Sequence, residues 1–196
     1  MKYRFVLTIA CCGLFLLSGS SFLLHAAKPS KELRQEIRAS KPGKFHKMLT
    51  PLVGKWQVGI TIKSASTGTV EHLKGTARSQ WILDRRFVQQ HFKTKSAGRR
   101  VEGYILIGYD NIRKEYVGAF LSNISSGLVP FSGEVSPDGS SFVFDMGAST
   151  RADGSRVHVS ASIKVLDKTG FEFVLEELDE STSRLRLELT VHYSRR

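Results

Sequence analysis

A chain of 196 residues with a formal charge of +11 is long enough for one domain, and its two cysteines are too few for a disulfide scaffold. Both of them, Cys11 and Cys12, sit in an apolar N-terminal run, so the body must be held by packing alone. Without Lys2 and Arg4 the balance is 27 basic to 18 acidic side chains, and residues 28–47 hold seven basic against two acidic ones, a leader without the interleaved aromatics of a nucleic-acid face.

Lys2 and Arg4 precede the apolar run Phe5–Leu17, and Ser18-Gly19-Ser20 supplies small residues for a signal peptidase. Residues 1–27 are therefore expected to be an export signal, cut after Ser20 or near Ala27. If retained, the span to Ala27 is long enough to anchor the chain across a bilayer core of about 30 Å. Residues 28–44 form a basic leader that would rest in solvent or near an anionic envelope surface. Within it Ser30 can cap a weak helix with Leu33 and Ile37 on one face, which Lys41-Pro42-Gly43 ends.

The domain is expected over residues 45–196. Phe45, Met48, Leu49 and Leu52 make a short amphipathic turn broken at Pro51. From Trp56 the period becomes two: Trp56, Val58, Ile60 and Ile62 alternate with polar residues. A long polar strand follows over Val70–Trp81, then Phe87–Thr94, a polar corner at Lys95–Arg100, and two apolar runs, Val101–Tyr109 and Glu115–Leu121. Asp110-Asn111 marks the corner between those two. Gly127–Val135 and Ser141–Met146 come next. Three cleanly alternating strands close the chain, with Val157 to Val165, Phe171 to Leu175 and Leu185 to Tyr193 each keeping one apolar face. About ten strands with no long helix among them predict an all-β, antiparallel up-and-down barrel of roughly 8–10 strands, preceded by a short helical segment.

The segments Leu49–Trp56 (LTPLVGKW), Trp81-Ile82-Leu83 with Arg86-Phe87, Gly108-Tyr109-Asp110-Asn111 with Arg113-Lys114 and Tyr116-Val117, and Tyr193-Ser194-Arg195 resemble one family. It is a bacterial secreted family of unknown function with a calycin-like, lipocalin-related barrel, and the resemblance spans Phe45 to Arg195. It implies that Trp56 plugs the barrel floor with Arg195 lying over its ring, a contact contributing about 0.5–2 kcal/mol. It implies no catalytic residue.

The residues themselves point away from catalysis: the sequence has no nucleophile elbow and the body no thiol. His46, His72, His91, His158 and His192 make no metal-binding spacing, and no cofactor is expected. One alternative is a haem or redox barrel with His91 as the ligand. The reading carried forward is an exported, periplasmic or secreted barrel that binds a small apolar or amphiphilic molecule in its interior. Candidate contacts are Arg78, Gln80, Trp81, Gln89, His91, Tyr104 and Tyr116, with the inward face of Phe87–Thr94 left open. A second alternative is an envelope interaction module whose interior is filled.

Overall fold

The computed structural model describes residues 30–196, so the expected export signal lies outside the described part. Helix α1 (Lys31–Ala39) is capped by Ser30, whose Oγ accepts from Leu33 N at 3.1 Å, and it buries no residue. Its C-terminal end is held by one side chain: Asn111 Nδ2 donates to the carbonyls of Ala39 and Lys41 at 2.7 and 2.9 Å. Helix α2 (Lys44–Lys47) and a 3-10 turn (Thr50–Leu52) follow.

Ten strands complete the chain: β1 (Gly54–Ser64), β2 (Thr69–Ile82), β3 (Phe87–Ser96), β4 (Arg99–Asp110) and β5 (Glu115–Ser122), then β6 (Val129–Val135), β7 (Ser141–Thr150), β8 (Arg156–Val165), β9 (Gly170–Asp179) and β10 (Leu185–Arg195). Every strand pairs antiparallel with its sequence neighbours, and β1 pairs with β10, so the sheet closes as a barrel. Closure gives every strand a partner on both sides over at least part of its length, so none is a free sheet edge.

Strand limits differ most from the sequence reading in two places. The polar stretch Lys95–Arg100 is mostly strand. Only Ala97 and Gly98 turn, with φ of 47° and 77°, as a two-residue hairpin with the right-handed strand twist requires. Strand β7 runs past Met146 to Thr150, because a bulge between Asp145 and Gly147 inserts one residue and resets the alternation. The Asp110 corner forms as expected: its Oδ1 accepts from the amides of Ile112 and Arg113 at 2.8 and 3.0 Å.

One end of the barrel is plugged. Leu49 and Leu52 from the segment before β1 are fully buried there, and Tyr116 Oη donates to the Phe45 carbonyl at 2.9 Å. Phe45 stacks on Tyr109 at 4.5 Å, Tyr109 meets Tyr116 edge-on at 5.0 Å, and Tyr116 meets Phe142 at 5.1 Å. Trp56 is buried beside Phe171, and its indole Nε1 donates to the Leu52 carbonyl. The closing ladder sets Trp56 opposite Arg195, whose guanidinium carbon lies 4.6 Å from the indole centroid. His46, also buried in this plug, is held below the usual histidine range by burial and then by the charge of Arg86.

If this floor closes the barrel, Trp56→Ala should cost about 3–5 kcal/mol in urea unfolding, and Arg195→Ala only about 0.5–2 kcal/mol. A Trp56→Ala protein as stable as the parent would contradict the assignment.

Candidate functional site

Which side chains enter the barrel follows from strand parity. On β1 the inward positions are Val58, Ile60 and Ile62; on β8 and β10 they include Ala161, Ile163, Leu189, Val191 and Tyr193. On β2 the odd-numbered residues point in, among them Leu73, Ala77 and Ser79, and on β3 the even-numbered ones: Val88, Gln90, Phe92, Thr94 and Ser96.

These walls do not meet in the middle. They enclose a cavity of about 640 Å³, which reaches from Leu52, Val58 and Tyr193 near the floor to Arg99, Asn123 and Ile124 at the other end. Glycine opposite phenylalanine helps to keep it open. A Cβ on Gly103 would stand 2.8 Å from the Phe92 ring, and one on Gly118 would stand 2.2 Å from the Phe131 ring. The rings therefore lie flat on the wall over bare backbone instead of projecting into the lumen.

The open half is laced least tightly between β6 and β7. Their ladder covers Ser132–Val135 only, while beyond the bulge β7 pairs with β8 alone. In the loop between β5 and β6, Ile124 and Leu128 expose 71% and 62% of their surface, large values for aliphatic side chains. At the rim Asn123 ties its loop to β4, accepting from Glu102 N at 2.9 Å and donating to the Arg100 carbonyl at 3.1 Å. The wall hydroxyl of Ser122 is buried and has no partner among the described residues.

Deeper in, one polar group interrupts the apolar wall. Ser79 and Gln90 are cross-strand partners on β2 and β3, and Gln90 Nε2 donates to Ser79 Oγ at 3.0 Å. Tyr193 reaches from β10 past β1 and β2 and donates to Gln90 Oε1 on β3 at 3.0 Å. All three are more than nine-tenths buried, and burial pushes the Tyr193 phenol well above the usual tyrosine range. The ionised side chain among the lining residues is Arg99, exposed at the rim, and none of the lining residues is a histidine, cysteine, aspartate or glutamate.

The residues singled out from the sequence fall largely elsewhere. Arg78 and Gln80 occupy the exposed face of β2. Gln89 and His91 have the outward parity of β3. His91 stacks on Tyr104 at 4.4 Å, with its Nε2 3.5 Å from Glu102 Oε2, so this pair decorates the outer wall. Trp81 points inward but packs near the floor, outside the cavity lining, its indole Nε1 buried without a partner among the described residues and Arg85 5.8 Å from its ring. Tyr116 belongs to the plug. The floor pair Trp56 and Arg195 stands where the resemblance placed it. Ser79, Gln90 and Tyr193 were not singled out, although Gln90 shares its parity with Val88 and Phe92, and Ser79 shares its own with Ala77 and Trp81. A polar residue on an apolar face was the available signal. Among the described residues, no three His, Cys, Asp or Glu side chains group as a metal site.

A family model described as "Protein of unknown function (DUF1579)" matches residues 41–195. The chain belongs to this family. The matched span takes in the floor segment, the whole barrel and both members of the Trp56–Arg195 pair. No curated protein matches the sequence. Among solved structures, the S-type phycobiliprotein lyase CPES from Guillardia theta is similar over 82% of this chain and 97% of its own, with a TM-score of 0.55 and 8% identity. Rv2717c from M. tuberculosis is similar over 80% of this chain and 99% of its own, with a TM-score of 0.54 and 18% identity. At such identities the likeness is one of fold alone.

Burial raises the phenol pKa of both Tyr116 and Tyr193, with Tyr109 adding to the shift at Tyr116. Above the unfolded value of about 10 the unfolded chain loses protons that the folded chain keeps, so stability falls as pH rises from there. An ultraviolet titration of the folded protein should therefore leave these two phenols neutral until alkaline unfolding, and Tyr193→Phe should remove one of them. Reversible ionisation of all body tyrosines near pH 10 would contradict their burial.

Proposed function

We propose that this protein is an exported, non-catalytic binding protein that holds one small, largely apolar molecule inside its barrel. The observation that carries the reading is the cavity of about 640 Å³ with its predominantly aliphatic and aromatic wall. Its size lies within the range of small-molecule sites, about 300–1,000 Å³, which are typically apolar with a few placed polar groups. Burying a ligand's hydrocarbon surface there contributes about 25 cal/mol per Å². Support for binding over catalysis comes from the lining, where Arg99 and the phenol of Tyr193 are the groups able to titrate. A structural module with a filled interior would not need glycines that hold Phe92 and Phe131 against the wall.

Filling the lumen tests this. Ala161→Phe and Leu189→Trp add bulk to the inner wall on β8 and β10. Each should weaken binding of a neutral fluorescent probe, N-phenyl-1-naphthylamine, about tenfold or more, equivalent to roughly 1.4 kcal/mol. Gln80→Ala and His91→Ala, on the outer wall, should leave it unchanged. Probe binding that ignores the lumen variants would place the site elsewhere.

The leader fits the same setting. Helix α1 shows Lys31, Arg34 and Arg38 to solvent with Leu33 and Ile37 half exposed, and we read it as a stretch that lies along an anionic envelope surface after export. N-terminal sequencing of the protein from osmotic-shock fluid should begin after Ser20 or near Ala27. A full-length chain in the cytosolic fraction would overturn export.

A further inference from the structure

The hydrogen-bond inventory of the polar group in the wall does not balance. The Tyr193 phenol, the Gln90 amide and the Ser79 hydroxyl own four donor hydrogens between them. Two are used internally, from Tyr193 to Gln90 and from Gln90 to Ser79. Turning the amide over changes the pairing but not the count: Ser79 then donates to Gln90 and Gln90 to Tyr193, again using two. No other described group takes a hydrogen bond from these side chains. Two donors are left over on the wall of an apolar cavity, each on a side chain more than nine-tenths buried. A buried donor without an acceptor is costly, so the arrangement calls for an acceptor from the lumen side.

Charge limits what that acceptor is. The ionised lining residue, Arg99, is at the rim, whereas Tyr193 and Ser79 lie toward the plugged end, where Tyr193 pairs with Val58 and Ser79 with Gly54. A carboxylate carried to that depth would leave water for neutral donors, a poor exchange. A carbonyl oxygen meets the same donors at little desolvation cost.

We propose that Ser79, Gln90 and Tyr193 form the anchoring subsite of the cavity, and that its ligand carries a neutral acceptor oxygen at its buried end. The ligand class is an apolar molecule ending in a ketone, ester or amide carbonyl, its body running along Phe92 and Phe131 toward the rim. The inference rests on the lumen being the binding site, as proposed above, and adds the chemistry and direction of what enters.

The test uses the exported chain with N-phenyl-1-naphthylamine as reporter and three competitors of equal length: dodecane, 2-dodecanone and dodecanoate. In the parent, 2-dodecanone should displace the probe at a concentration about five- to tenfold lower than dodecane, as one added hydrogen bond implies. Replacing the subsite as a unit, with Ser79→Ala, Gln90→Leu and Tyr193→Phe together, should abolish that preference. Changing all three at once avoids orphaning a partner, which is what makes single removals destabilising. A second readout needs no variant: the carbonyl stretch of bound 2-dodecanone should move to lower frequency than in hexane. Equal competition by ketone and alkane, an unshifted carbonyl, or a preference that survives in the triple variant would each overturn the proposal. So would a preference for dodecanoate that depends on the three residues. If the probe fails to enter the parent at all, the lumen reading itself falls, and this proposal with it.

Discussion

Ten antiparallel strands closed on themselves enclose more space than their inward side chains occupy, and this geometric surplus governs the rest of the molecule. Closure depends on β1 meeting β10, and that ladder runs without interruption from Trp56 opposite Arg195 to Ser64 opposite Leu187. At its lower end the indole, the guanidinium, Phe171 and the segment Phe45–Leu52 fill the barrel bottom. The buried core thus joins this floor to the lower wall, where Val58, Val88, Ile107, Ala161 and Val191 belong to it. Above it, packing gives way to a lined hollow.

A hollow of this kind costs free energy unless the wall is stiff or something fills it. The wall is kept stiff by ladders that close the ring on every side, the shortest being β6–β7, and its aromatic rings are held back over glycines. The Ser79–Gln90–Tyr193 group spans four adjacent strands, β10, β1, β2 and β3, and braces the inner surface. The same group is the one place where the deep wall offers polarity. The outer wall carries the ion pairs, such as Lys63 with Glu188 and Arg156 with Glu180, which are solvent-screened and of small energetic weight. On the proposed reading, stability and recognition are therefore divided between the floor and the lumen.

Much of the fold was legible in the sequence because a half-wet sheet writes itself as period-two alternation. Strands β8 to β10 carried it cleanly, the Asp110 corner was readable from turn chemistry, and the Trp56–Arg195 contact was what the family resemblance implied. The site was less legible for a physical reason. On β3 each face carries an aromatic, Phe87 outside and Phe92 inside, and the adjacent pair Gln89-Gln90 puts one amide on each. Polar residues that could have faced the lumen, Arg78, Gln80, Gln89 and His91, were selected, and they stand on the outer wall. The informative residue was the polar one on the apolar parity. The bulge at Asp145/Gly147 was invisible for a related reason, since one inserted residue inverts the alternation that defines the strand.

The surplus volume, the bare glycines beneath phenylalanines and the buried donors are all features that the proposed role, a barrel housing a guest, requires. Native mass spectrometry of the protein purified from its own host tests this most directly. The account predicts a non-covalent mass increment on the parent chain that is absent from Ala161→Phe purified in the same way. A bare polypeptide mass in both, or the same increment on the filled variant, would contradict it.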